Sequence, residues 1–235
     1  TGIHINDYKF YYNTANASGA AIFIGNGSDN SGINGSVFVG NNITNETGGH
    51  GGAIDIVADN TNVTNSNFTN NNAFYGGAIF VGSKSGNTYI ADTTFRDNTA
   101  EVDGGAINLQ ASGVKLNETY FYKNTAQRNG GALYVGGEGT TNVIYNSLFD
   151  DNDAENNGGA VYWRAYAGHV AYSNFTSNDA VNGGAIYLNG VSSNTNITHV
   201  IFKYNNATKN GGAIDCNATR MNLTYTLFES NYAGE

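Results

Sequence analysis

The stretch Phe121-Tyr122-Lys123-Asn124-Thr125-Ala126-Gln127-Arg128-Asn129-Gly130-Gly131-Ala132-Leu133-Tyr134-Val135 holds the two signals that decide the fold. A Phe is followed three residues later by an Asn, and six residues after that comes a Gly-Gly-Ala-aliphatic tetrad. The Phe recurs at Phe10, Phe38, Phe68, Phe95, Phe121, Phe149, Phe175, Phe202 and Phe228, paired with Asn13, Asn41, Asn71, Asn98, Asn124, Asn152, Asn178, Asn205 and Asn231. Tetrads begin at Gly51, Gly76, Gly104, Gly130, Gly158, Gly183 and Gly211, with a degenerate one from Gly19 to Ile22. Successive Phe lie about 27 residues apart, and self-similarity at a period of roughly 20 to 50 residues marks a stacked repeat.

Short alternating runs such as Ala185-Ile186-Tyr187-Leu188 follow each tetrad, and an aliphatic recurs five positions before each Phe, from Ile33 to Leu223. Alternation of period two bounded by Gly and Asn reads as strand, and no segment sustains a 3.6-residue helical stripe. Two or three short strands per 27 residues predict an all-β, right-handed parallel β-helix of about 8 to 9 coils, forming a single domain over 1–235. Equivalent residues then stack about 4.8 Å apart. The Phe residues form an internal aromatic column, the Asn residues a hydrogen-bonded ladder at the next turn, and Gly-Gly a bend that a Cβ would obstruct. From tetrad aliphatic to next Phe the spacing runs 16, 14, 16, 14, 16, 14, 16, 14, so the repeating unit is expected to be two coils. Long coils carry Gly/Ser/Asn-rich turns, as in 82–87 and 136–142.

Composition narrows the function classes. Gly supplies 32 residues and Asn 39, both tolerant of left-handed backbone, and Pro is absent. A formal charge of −9 opposes phosphate backbones and anionic lipid surfaces, so no nucleic-acid partner is expected. No apolar run reaches the roughly 18 residues of a membrane span, so this segment is not expected to insert directly into a membrane. Cys216 is the single cysteine, which rules out an intrachain disulfide, and its inward strand parity predicts a small core residue. Thirteen Asn-x-Ser/Thr sequons, among them Asn62, Asn67, Asn117, Asn174, Asn196, Asn206 and Asn222, hint at a glycosylated surface protein.

The stacked GGA-I/L/V and F-x-x-N motifs resemble the repeats of polymorphic outer-membrane proteins, the chlamydial autotransporter adhesins. The Asn, Thr and Tyr richness, the sequons and the lack of Pro are similar to adhesin-like β-helix proteins of methanogenic archaea. The resemblance covers Phe10 to Asn231 and implies an extracellular, cell-surface adhesin; it carries over no catalytic residues and no cofactor. Both ends break off inside the pattern, which is expected of a segment from a longer surface protein.

Enzymatic signals are weak. Gly49-His50-Gly51 and Asp150-Asp151 look like fragments of a polygalacturonase site, but in reversed order and about four coils, or roughly 17 to 20 Å, apart. Carboxylates acting on one glycosidic bond lie within about 5 to 10 Å. His50 is expected to be a solvated loop residue. Asp150, Asp151 and Asp153 are expected to be solvated turn residues, and no metal site is expected. A polysaccharide lyase or hydrolase is therefore the least favoured reading, and no catalytic activity is expected.

The outward column of the tetrad strand is more informative: Phe23, Asp55, Phe80, Asn108, Tyr134, Tyr162, Tyr187 and Asp215, flanked two positions on by Val57, Gly82, Gln110, Gly136, Arg164, Asn189 and Asn217. Rings beside amides and carboxylates suit sugars, whose faces stack on aromatics while hydroxyls take polar partners. Structural stacking between strands is the competing reading. The candidate ligand-binding residues are Tyr134, Tyr162, Arg164, Tyr187, Asn108 and Asp215. Trp163 is expected in the core, and Trp163 to His169, which lacks the usual turn chemistry, marks the coil most suited to a specific contact. The expectation is a monomeric adhesin module binding a glycan or protein of another cell; a structural stalk or spacer is the alternative.

Overall fold

A computed structural model describes residues 2–45, 47–137 and 141–234. The chain winds as a parallel β-helix in which each coil visits four sheets in turn, one more strand than the upper sequence estimate. Sheets A, B and C have nine strands each and sheet D has eight, all parallel to their neighbours. Sheet A starts at His4–Asn6, sheet B at Lys9–Tyr11, sheet C at Thr14–Ala15 and sheet D at Ile22–Ile24. No described residue is helical.

The core is built from columns of like residues held in register. Sheet B aligns Phe with Phe along its length. Neighbouring rings lie 4.6 to 5.1 Å apart and nearly parallel. That is the strand spacing itself, so each ring sits on the next at the distance the backbone ladder imposes. Ile33, Val63, Ile90, Leu116, Ile144, Val170 and Ile197 do the same in sheet A, all buried. In sheet C the inward residue is small, as at Ala73, Ala100, Ala126, Ala154, Ala180 and Ala207. Trp163 is fully buried, and a Cβ on Gly168 would overlap its ring, so that glycine makes the room.

The Asn ladder is complete. Asn124 is typical: its backbone N–H and Nδ2 both donate to Asn152 Oδ1 at 3.0 and 2.9 Å, and Nδ2 also donates to the Phe95 carbonyl. Its own Oδ1 accepts from the N–H and Nδ2 of Asn98. Every polar atom of a fully buried amide is therefore used, the condition under which burying it costs little.

Two further corners of each coil are single left-handed residues. Between sheets A and B stand Asp7, Gly35, Asn65, Asp92, Glu118, Asn146, Tyr172, His199 and Tyr225; between B and C stand Tyr12, Gly40, Asn70, Asp97, Lys123, Asp151, Ser177, Tyr204 and Ser230. All have φ between 48° and 64°. The third corner uses the tetrad: the first Gly has positive φ, 66° at Gly130, and a Cβ on the second, Gly131, would overlap the Gly159 carbonyl oxygen of the next coil.

Two expectations need correction. Cys216 is exposed rather than buried. It faces inward and pairs in register with buried Leu188, but it lies on the outermost strand of sheet D, where no further coil covers it. The acidic run is not all turn: Asp150 ends a strand of sheet B, Asp151 is a left-handed corner, and Asp153 begins a strand of sheet C. Burial pushes the carboxyls of Asp150 and Asp153 up, helped by neighbouring acids. Among the described residues, no cluster of His, Cys, Asp and Glu could hold a metal ion.

Candidate functional site

Register pairing brings Phe23, Asp55, Phe80, Asn108, Tyr134, Tyr162, Tyr187 and Asp215 into one column on the outer face of sheet D. The rings of Tyr134, Tyr162 and Tyr187 stack at 5.1 and 5.3 Å with planes within 7°. This column is not an open face, however. Tyr134 and Tyr162 are 9% and 8% exposed, Asp55 2%, and Asn108 is fully buried.

A second column supplies the wall. The residue directly before each Gly-Gly forms a ladder of its own through Ser18, His50, Tyr75, Asp103, Asn129, Asn157, Asn182 and Asn210. Asn157 Nδ2 donates to Asn129 Oδ1, Asn182 Nδ2 to Asn157 Oδ1, and Asn210 Nδ2 to Asn182 Oδ1. Sequence reasoning passed over this column. Its signal was present: polar or aromatic residues immediately precede seven tetrads.

The two columns interlock. His50 is half-buried, not solvated: its ring stacks on Phe80 at 4.1 Å and 8°, and burial lowers its pKa. Asn108 Nδ2 donates to the Asp103 carbonyl, and Gln110 Nε2 donates to Asn108 Oδ1. Arg128 clamps Asp103 through both Nε and a terminal nitrogen, and Asn129 Nδ2 adds a third donor. Burial and the charge of Asp103 push the Tyr134 hydroxyl up, and the nearby Arg164 guanidinium opposes them. Further along, Asn189 Nδ2 donates to the Tyr162 hydroxyl and Asn217 Nδ2 to that of Tyr187. Asn108 is thereby a structural floor; Tyr134 and Arg164 line a cavity, and Asp215 lies half-buried two strands from Tyr162.

The long and short coils shape the outer edge of this groove. The difference falls in the turn from sheet D to sheet A, which runs 25–31 and 82–88 in long coils but 57–61 and 110–114 in short ones. The long turn 136–141 contains residues 138–140, which lie outside the described residues. A short turn between two long ones leaves a notch. Val57 lies between Asn26 and Gly82-Ser83-Lys84 in a cavity of about 450 Å³ that also contains His50, Asp55, Phe80 and Gln110. Arg164 and Tyr166 lie between Gly136-Gly137 and Val191 in one of about 220 Å³. A cavity of about 320 Å³ shares His50, Phe80 and Gln110 with the first and Arg164 with the second, and Arg128 and Tyr134 also line it.

The polygalacturonase-like fragments do not meet: His50 lies at the corner of sheets C and D, Asp150 on sheet B. Asp55 and Asp103 share the groove but line different cavities.

Three segments, 92–110, 118–136 and 199–217, match the Chlamydia polymorphic membrane protein repeat. Each runs through one Phe-x-x-Asn pair to the strand after the following tetrad, so the match covers the wall and the floor of the groove together. No curated protein matches the chain. The repeat match suggests a surface or outer-membrane protein built on a β-helix, and this chain is similar to that repeat in the motifs that make its fold.

Proposed function

We propose that the protein is an adhesin module of the cell surface that binds an extended carbohydrate chain along the groove on sheet D. The observation that carries this reading is the row of three cavities from Asn26 to Val191, neighbours through the lining residues they share, walled by Phe80, Tyr134 and Tyr166 and furnished with Asp55, Gln110, Arg128 and Arg164. Rings give a sugar its stacking surface, and the fixed polar groups between them discriminate its hydroxyls. Short coils recur at every second coil, about 9.6 Å apart, a step close to two residues of an extended polysaccharide.

The groove is proposed to bind without cleaving. Asp55 and Asp103 stand about two coils apart along the axis, roughly 10 Å, at the outer limit of paired carboxylate catalysis. Arg128 and Asn129 occupy the Asp103 carboxylate, so it is not free to act. The test is a glycan array probed with the intact chain and with Tyr134, Tyr162 and Tyr187 changed together to Ala. Binding of extended glycans that the triple variant loses supports the reading. Binding that survives in that variant removes the groove, and absence of binding favours a stalk.

A further inference from the structure

Seven Asn-Gly pairs occur in the chain, beginning at Asn26, Asn34, Asn129, Asn157, Asn182, Asn189 and Asn210. This dipeptide is chemically fragile, because glycine has no Cβ to shield its backbone nitrogen from the preceding side-chain amide and leaves the backbone free to bring the two together. Reaction needs that nitrogen and that amide unheld. Hydrogen bonding therefore sorts the seven.

Four pairs have the glycine N–H committed to the neighbouring coil: Gly35 donates to the carbonyl of Thr64, Gly130 to that of Asn157, Gly158 to that of Asn182 and Gly183 to that of Asn210, at 2.8 to 3.1 Å. Their amides are held as well. Thr64 and Asn65 donate to Asn34 Oδ1, and Asn129, Asn157 and Asn182 belong to the ladder before Gly-Gly. Asn189 Nδ2 donates to the Tyr162 hydroxyl and Asn210 Nδ2 to Asn182 Oδ1. Asn26 is different. It is exposed in the long turn 25–31, and among the described residues neither its side chain nor the Gly27 N–H has a hydrogen-bond partner. A bond from the Ser28 N–H to the Gly25 carbonyl at 3.1 Å closes the turn around it, and a Cβ on Gly27 would meet nothing within 4 Å.

We propose that Asn26 is a self-modification site, converted through attack by the Gly27 nitrogen to a mixture of aspartate and isoaspartate. The Gly27 amide nitrogen gives up its proton to water and bonds to Asn26 Cγ; the Cγ–Nδ2 bond breaks and ammonia leaves, closing a cyclic imide. Water then opens the ring at either carbonyl, with no oxidation or reduction at any step. Either product places a carboxylate at the rim of the cavity of about 450 Å³, which Lys84 also lines, so the groove gains one negative charge as the protein ages. None of this depends on what the groove binds.

The test incubates the folded chain, and in parallel the chain unfolded in concentrated guanidinium chloride, at mildly alkaline pH and body temperature. Peptide mapping by mass spectrometry follows all seven pairs over weeks, with isoaspartate read separately by enzymatic methylation. In the fold, Asn26 is expected to react at least tenfold faster than Asn34, Asn129, Asn157 and Asn182, whose reaction must wait for local opening of the coil. In denaturant that lead is expected to vanish, and Asn26→Gln is expected to lose the modification from its own peptide while the other six pairs behave as before. An Asn26 rate in the fold no greater than those of the four held pairs overturns the proposal. A lead of the same size in denaturant overturns it too, because the flanking sequence and not the fold would then set the rate.

Discussion

At the scale of single residues, the molecule is decided by whether each buried polar atom has a partner. The Asn residues of the ladder do, which is why a buried amide can repeat at the same corner of coil after coil. Asp55 Oδ1 has none among the described residues. Its carboxyl is raised from 3.8 to about 6, so the folded state holds this proton more tightly than the unfolded chain does. The favourable contribution is present in full below about pH 3.8 and is lost as pH rises through about 6. A shift of that size corresponds to at most about 3 kcal/mol. His50, in the same cavity, acts in the opposite sense, since its lowered pKa favours the neutral ring and its contribution is lost on acidification. Asp55→Asn cannot ionise. We expect it to raise the urea midpoint at pH 8 by an amount that shrinks towards pH 4; a lower midpoint at pH 8 would show that the charge is compensated in the fold.

At the scale of the element, one coil is a set of corners, and the corners differ in how visible they are in sequence. The Gly-Gly corner is legible because a Cβ has nowhere to go. Gly131→Ala is expected to destabilise by several kcal/mol, since relief requires moving the Gly159 backbone, whereas Gly48→Ala, with open space around it, should change the melting temperature little. Asn124→Ala removes the side-chain bond to Asn152, the oxygen that accepts from the Asn98 N–H and Nδ2, and the amide that donates to the Phe95 carbonyl; a loss of roughly 3 to 5 kcal/mol in urea unfolding is expected from several unmet groups. The other two corners were not legible. Residues as different as Glu118, Lys123, Tyr172 and Ser177 all take φ near 50°, because the parallel ladders on either side fix the bend and the side chain points away. The sheet C strand was half-hidden for a related reason: it is as short as two residues and its inward member is often only Ala. The tyrosine column was readable from alternation, but its burial was not. That depends on the residues preceding Gly-Gly, such as Asp103 and Asn129, folding over from the neighbouring sheet.

At the scale of the whole molecule, the strict spacing of coils turns a sequence alternation into a ruler. Coils two apart differ by about 9.6 Å, and each short turn between long ones opens the groove again. Of the short coils, the first places Val57 in the cavity at Asp55, the second places Gln110 in that cavity and in its neighbour, and the third places Arg164 and Tyr166 in the last. A rod with register held by the Phe and Asn columns cannot adjust these distances, so a ligand must match them. One sugar filling one notch gains only what that notch offers. A chain spanning two makes its second contact from a high effective concentration, which multiplies affinity without any new kind of contact. For the groove reading, affinity for a linear neutral oligosaccharide is therefore expected to climb unevenly with length. Isothermal titration with a homologous series should show the larger gains, tenfold or more, each time two residues are added and a further notch is reached, and little gain from the odd residue between. Affinity that rises smoothly, or stops rising beyond a disaccharide, would mean that the alternation of 16 and 14 residues sets the outline of the rod without setting what it holds.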